Sequence, residues 1–143
     1  MIKIDDWVIE KGEKAQGKIE ITGCGMAMPA TVICGVEDGP TILITAGVHS
    51  AEYVGIQAAM ELAKEFQPEE LKGNVIIIPL VNVSGFEHRT MSMVYEDGKN
   101  LNRVFPGDPE GTAADRIAYT MVTKLFSITV PYTAKAFFRK AQI

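Results

Sequence analysis

Thr41-Ile42-Leu43-Ile44-Thr45-Ala46-Gly47-Val48-His49-Ser50-Ala51-Glu52 is the stretch on which the reading of this chain turns. Its first six residues are small or apolar without a break, the pattern of a strand covered on both faces. A helical pattern follows. Val54, Ala58, Leu62 and Phe66 recur every four residues, with Gly55, Ala59 and Ala63 beside them and Pro68 just past the end. Gly73-Asn74 then opens a second apolar run, Val75-Ile76-Ile77-Ile78-Pro79-Leu80-Val81. Strand, helix and strand with short joints make a βαβ unit, whose crossover is almost always right-handed. The expected fold class is α/β, a mixed β-sheet flanked by helices.

The joint between the first strand and the helix carries His49 and Glu52, three residues apart. Residues so spaced share one side of a helical turn, so their side chains converge. Imidazole nitrogen and carboxylate oxygen are both zinc ligands, and two histidines with one glutamate and an open fourth position form a known catalytic set. The place suits a ligand, because open α/β sheets bind at the carboxyl ends of their strands. The plainer reading is a half-buried imidazole beside an acid favoured by the helix dipole.

Working outward, Lys18-Ile19-Glu20-Ile21-Thr22 alternates as a half-buried strand, and Pro29 to Val36 reads as a second one. Ile2-Ile4 and Trp7-Val8-Ile9 suggest a short edge element. Glu37-Asp38-Gly39-Pro40 reads as a turn. Residues 82–110 lack periodicity, and a loop of that length in a compact domain is usually functional or disordered. Residues 112–127 are helical, with Thr112 and Asp115 as a capping pair and Ile117, Met121 and Leu125 as one apolar row.

A chain of 143 residues suggests one domain with a real core, and its 47% apolar content is ordinary. A net charge of −4 with no basic run argues against nucleic acid or an anionic membrane as partner. The charged residues throughout Met1–Glu20 are unlike a signal peptide, and no apolar run reaches the length of a membrane span. Cys24 and Cys34 form no close pair. These features predict a cytoplasmic setting with free thiols.

In the long loop, Asn82, Arg89, Asn102 and Arg103 carry the polar chemistry. An arginine fork binds a carboxylate through two parallel hydrogen bonds, and an arginine also stabilises an oxyanion. The competing reading pairs Arg103 with Asp108 or Glu110 and leaves Arg89 in solvent. His88 reads as a surface loop side chain, and Glu87, Glu96 and Asp97 as solvated loop acids.

Met28-Pro29, then Gly47-Val48-His49-Ser50-Ala51-Glu52-Tyr53-Val54-Gly55, then Asp97-Gly98-Lys99-Asn100-Leu101-Asn102-Arg103-Val104-Phe105-Pro106-Gly107 resembles the succinylglutamate desuccinylase/aspartoacylase family of zinc carboxypeptidase-like hydrolases. The likeness spans residues from about 15 to 127. It implies that His49 and Glu52 are ligands of Zn²⁺. It implies that Asn102 and Arg103 grip a substrate carboxylate and that Arg89 polarises the scissile carbonyl. The implied activity is deacylation of a small acylated substrate, a small N-acyl amino acid-like molecule held by amide or ester.

The resemblance also implies a second histidine ligand after the 112–127 helix and a general-base glutamate beyond position 143. No histidine follows His88. The expected layout is an amino-terminal segment over 1–16, the amino-terminal half of a zinc hydrolase domain over 17–127, and an atypical tail over 128–143 from a frameshift or truncation. An incomplete sheet of this kind predicts association with a second copy. A catalytically inactive fragment and a carboxypeptidase-type peptidase are the two alternatives to the deacylase.

Overall fold

The computed structural model describes residues 1–129. The expected tail over 128–143 lies, past Thr129, outside the described residues.

Strands β1 (Ile2–Ile4) and β2 (Trp7–Ile9) form an antiparallel hairpin. A four-stranded mixed sheet follows, built from β3 (Lys14–Glu20), β4 (Ala27–Cys34), β5 (Glu37–Thr45) and β6 (Lys72–Ile78) in the order β3-β4-β6-β5. Helix α1 (Tyr53–Glu65) connects β5 to β6, which pair in parallel, and this is the expected βαβ unit. The strand expected from Lys18 starts earlier, at Lys14, because Lys14-Ala15-Gln16 continues the ladder against Thr31–Ile33. The second expected strand is shifted to Ala27–Cys34.

The alternation of β6 sorts two cores. Val75 and Ile77 join Ala59 and Ala63 of α1 on one face. Ile76 and Ile78 join Ile19, Met28 and Val32 on the other, together with Ile117 and Ala118 of α3 (Ala113–Thr120). Burying one such isoleucine contributes about 1.5–3 kcal/mol. Helix α3 begins at a capping box formed by Thr112 and Asp115 and continues as a π turn over Met121–Leu125. The row Ile117, Met121 and Leu125 is buried as its spacing required.

Three expectations change. Strand β5 is covered on both faces only in part: Leu43 packs against one core and Ile44 against the other, but Ile42 is 54% exposed, and among the described residues the strand lies at the edge of the sheet beside β6. Glu37–Pro40 is not a turn but the opening of β5, with Glu37 paired to Lys72 and a register shift before Thr41. Proline is tolerated there because an irregular edge strand needs no ladder N–H from it. On α1 the buried row is Ile56, Ala59 and Ala63, while Val54 is 86% exposed.

The long loop is ordered by short elements. Helix α2 (Val83–Glu87), a bridge between Met93 and Asn100, and a 3₁₀ turn over Leu101–Arg103 divide it. Cys24 and Cys34 are free thiols. No helix among the described residues is long and apolar enough to cross a membrane.

Candidate functional site

The site begins where β5 ends. Gly47 has φ +66°, and a Cβ there would meet Leu80 Cδ1 at 2.7 Å and Leu80 Cα at 3.1 Å. Only glycine takes this turn without strain in so little room. The Val81 N–H donates to Ala46 O (3.0 Å) and the Asn82 N–H to Gly47 O (2.9 Å), so the segment after β6 holds the turn in place.

His49 and Glu52 do not lie within a helix. They are the ends of a tight turn in which the Glu52 N–H donates to His49 O (3.1 Å), and Glu52 is the N-cap residue of α1. The convergence expected from their spacing still arises, since an i to i+3 turn brings its ends together. His49 Nδ1 is 3.2 Å from Glu52 Oε1.

The other imidazole nitrogen faces the second motif. His49 Nε2 is 3.0 Å from Asn100 Oδ1, which also accepts the Asn102 N–H (3.0 Å). That amide bond fixes the orientation of the Asn100 side chain, so its oxygen faces the imidazole. An amide oxygen only accepts, so Nε2 carries the hydrogen. In the neutral imidazole Nδ1 is then a lone pair aimed toward a carboxylate oxygen. Two acceptors at this distance call for a proton or a cation between them. Donors 3.2 Å apart, each at a zinc bond length of about 2.0–2.1 Å, subtend roughly 100° at the ion, close to tetrahedral. The pair therefore fits two positions of a zinc site. Among the described residues no cluster of three His, Cys, Asp or Glu side chains completes it.

Asn100 was not among the expected site residues, although it stands two places before Asn102. Its position at the N-cap of the 3₁₀ turn is what joins that turn to His49. Asn102 and Arg103 follow on the same turn, both exposed. The ion pairs of the described residues do not include Arg103 with Asp108 or Glu110.

Arg89 is exposed in a left-handed conformation (φ +56°), as is Met91 (φ +62°). Arg89 lines a cavity of about 270 Å³ with Ser50, Ala51, Tyr53, Gly85, Phe86 and Met91. The Ser50 N–H and hydroxyl both donate to Met91 O (2.8 and 2.7 Å), which ties this loop to the turn that carries His49. Asn82 has no part in site chemistry. It is fully buried, its Oδ1 accepts the Gly85 N–H (3.1 Å), and its Nδ2 donates to Met93 O (3.0 Å). His88 stacks on Tyr95 at 3.6 Å and its Nδ1 contacts Ser84 O (3.0 Å).

Two acids expected to be merely solvated have partners. Glu96 accepts the Ser84 hydroxyl (2.6 Å), and Asp97 accepts the Thr112 hydroxyl (2.6 Å) and the Ala114 N–H (2.7 Å). Nearby, the hydrogen bond from Lys99 holds the Asp115 carboxyl below the usual carboxylate range, against the opposing effect of burial.

The chain is similar to known proteins. The catalytic domain of succinylglutamate desuccinylase/aspartoacylase matches residues 38–136, a span that starts later and runs further than the 15–127 expected. The N-alpha-acetyl-L-2,4-diaminobutyric acid deacetylase of Halomonas elongata is 41% identical over 112 residues, covering 77% of this chain and 30% of that protein. A succinylglutamate desuccinylase/aspartoacylase from Rhodobacter sphaeroides superposes with a TM-score of 0.75 at 30% identity, covering 86% of this chain and 40% of the other. The product-bound ectoine utilization protein EutE (DoeB) from Ruegeria pomeroyi gives 0.74 at 30% identity, covering 87% and 40%. The chain thus spans well under half the length of these relatives. It belongs to the succinylglutamate desuccinylase/aspartoacylase family and carries part of its catalytic domain.

Proposed function

We propose that this chain supplies the metal-holding and carboxylate-holding part of a zinc-dependent deacylase acting on a small N-acyl amino acid-like substrate. One observation carries the proposal: His49 Nδ1 and Glu52 Oε1 stand 3.2 Å apart while Nε2 is committed to Asn100. The likeness to a protein named as an N-acetyl-diaminobutyrate deacetylase supports the substrate class. Bound zinc supplies a water of lowered pKa and a Lewis acid at the carbonyl.

The residues of this chain have separate tasks. His49 and Glu52 hold the ion. Asn100 keeps the hydrogen on Nε2, so that Nδ1 offers its lone pair. Arg103 forks onto the substrate carboxylate and Asn102 donates beside it. Arg89 stabilises the oxyanion, a contribution of about 2.7–4 kcal/mol for a single well-placed donor. Among the described residues no third His, Cys, Asp or Glu side chain joins His49 and Glu52, so the proposal leaves the third ligand unassigned. A cytoplasmic setting is in keeping with the two free thiols.

Zinc stoichiometry and affinity test the proposal, with His49→Ala as control. Zinc that binds and is lost in the control is the expected result. Equal zinc in both proteins overturns the ligand assignment. A panel of N-acyl amino acids and peptides with free carboxyl ends, offered to a form with the full ligand set, separates the deacylase from the peptidase reading.

A further inference from the structure

Helix α1 leaves part of β3 and β4 uncovered. Its core takes Ile33 from β4 and no residue from β3. A cavity of about 310 Å³ lies there, between the C-terminal half of α1 and the two strands. Gln16 and Thr31, directly opposite each other across the β3–β4 ladder, both line it. Pro29, Met60 and Pro79 give it apolar walls, and the exposed Lys64 stands at its rim. Thr31 is only 5% exposed, yet its hydroxyl has no hydrogen-bond partner among the described residues. The hydroxyl is not sealed in the core; it opens onto the cavity. Native proteins keep few buried polar groups without a partner. The alternation that sends Ile19 to the opposite core puts Lys14 and Lys18 on this face as well. Lys14 is engaged, donating to Lys64 O (3.1 Å) and Phe66 O (2.7 Å) at the end of α1. Among the described residues neither Lys18 nor Lys64 is in an ion pair. Glu61, one turn before Lys64, accepts from Gln57 (2.8 Å).

We propose that this cavity is a second ligand site, which takes a small aliphatic carboxylate. None of its lining residues belongs to the turn of His49 or to the cavity of Arg89, so it stands apart from the deacylase reading. A carboxylate accepts the Thr31 hydroxyl and draws the Lys64 ammonium, and its carbon chain covers the proline and methionine walls. Inorganic phosphate would meet the same donors but leave those walls in water. The volume is at the lower end of small-molecule sites, about 300–1,000 Å³, so a chain of a few carbons fits and a peptide does not.

The test is an amide NMR titration of the 143-residue chain with propionate, butyrate and pentanoate, beside butyramide and inorganic phosphate. Butyrate should shift the Thr31 and Met60 amides saturably. Affinity should rise about fourfold with each added methylene, the worth of burying one. Butyramide should bind more weakly. Thr31→Val keeps the branched shape and loses a hydroxyl that has no partner among the described residues, so the variant should fold as stably as wild type. It should bind butyrate about three- to tenfold more weakly, for one lost hydrogen bond. Lys64→Gln, at an exposed position, should weaken butyrate about two- to fivefold and leave butyramide unchanged. Absence of a saturable shift, or equal butyrate affinity in wild type and both variants, overturns the proposal. Phosphate that shifts the same amides as strongly as butyrate overturns the aliphatic part of it. Shifts confined to Asn102 and Arg103 would assign the carboxylate to the other site and overturn this one.

Discussion

Asn100 Oδ1 accepts from both His49 Nε2 and the Asn102 N–H, so one amide oxygen joins the two motifs of the site across 51 positions of sequence. Removing it should be felt at the metal. Asn100→Ala is expected to lower zinc affinity by about 10–100-fold, the usual effect of losing the group behind a ligating histidine. Competition with a chromogenic chelator measures this. Unchanged affinity would mean that His49 is oriented by something else.

Gly47→Ala tests the turn that aims His49. The positive φ and the approach of Leu80 together should cost about 1–3 kcal/mol of stability. Urea unfolding reads the midpoint directly. A variant as stable as wild type would show that the backbone relaxes there.

Asp115→Ala removes the capping box and the partner of Lys99 together. A loss of about 0.5–2 kcal/mol is expected for the cap. The same carboxyl gives a pH signature. Its pKa is lowered in the folded state, chiefly by the hydrogen bond from Lys99, so its contribution is present above the unfolded value and lost as pH falls through the folded one. The gap in stability between wild type and Asp115→Ala should therefore narrow in acid below about pH 4. A gap of unchanged size at the acid end would contradict this.

The apolar surface beside β5 should drive association. Ile42, Tyr53 and Val54 are 54%, 59% and 86% exposed. Exposed apolar side chains near a strand edge left open among the described residues invite a partner. Val54→Glu with Ile42→Lys should shift the sedimentation profile toward monomer. Identical profiles for variant and wild type would clear this surface of any role in assembly.

What the sequence disclosed and what it withheld follow one division. Periodicity and capping are local, so β6, the α3 cap and the row Ile117, Met121 and Leu125 were legible. The row on α1 was misplaced because small residues at Ala59 and Ala63, and not the larger Val54, meet the sheet. Gly39 and Pro40 read as a turn, yet a Cβ on Gly39 would come 2.7 Å from Gly73 N, so two backbones pass closely there within the sheet. Among site residues, the turn of His49 and Glu52 was visible as a motif. Asn82 and Asp97 were misjudged because their partners come from tertiary docking, which no spacing encodes.

Strand β5 also sets the terms on which the sheet can grow. Its alternate residues are already allotted: Leu43 packs with the layer of α3, and Ile44 with the layer of α1. An incoming strand inherits that parity along its whole length. A slip of one residue would send each of its side chains to the opposite layer. The edge therefore discriminates by odd and even position, and an apolar segment of suitable composition but the wrong phase would find no seat.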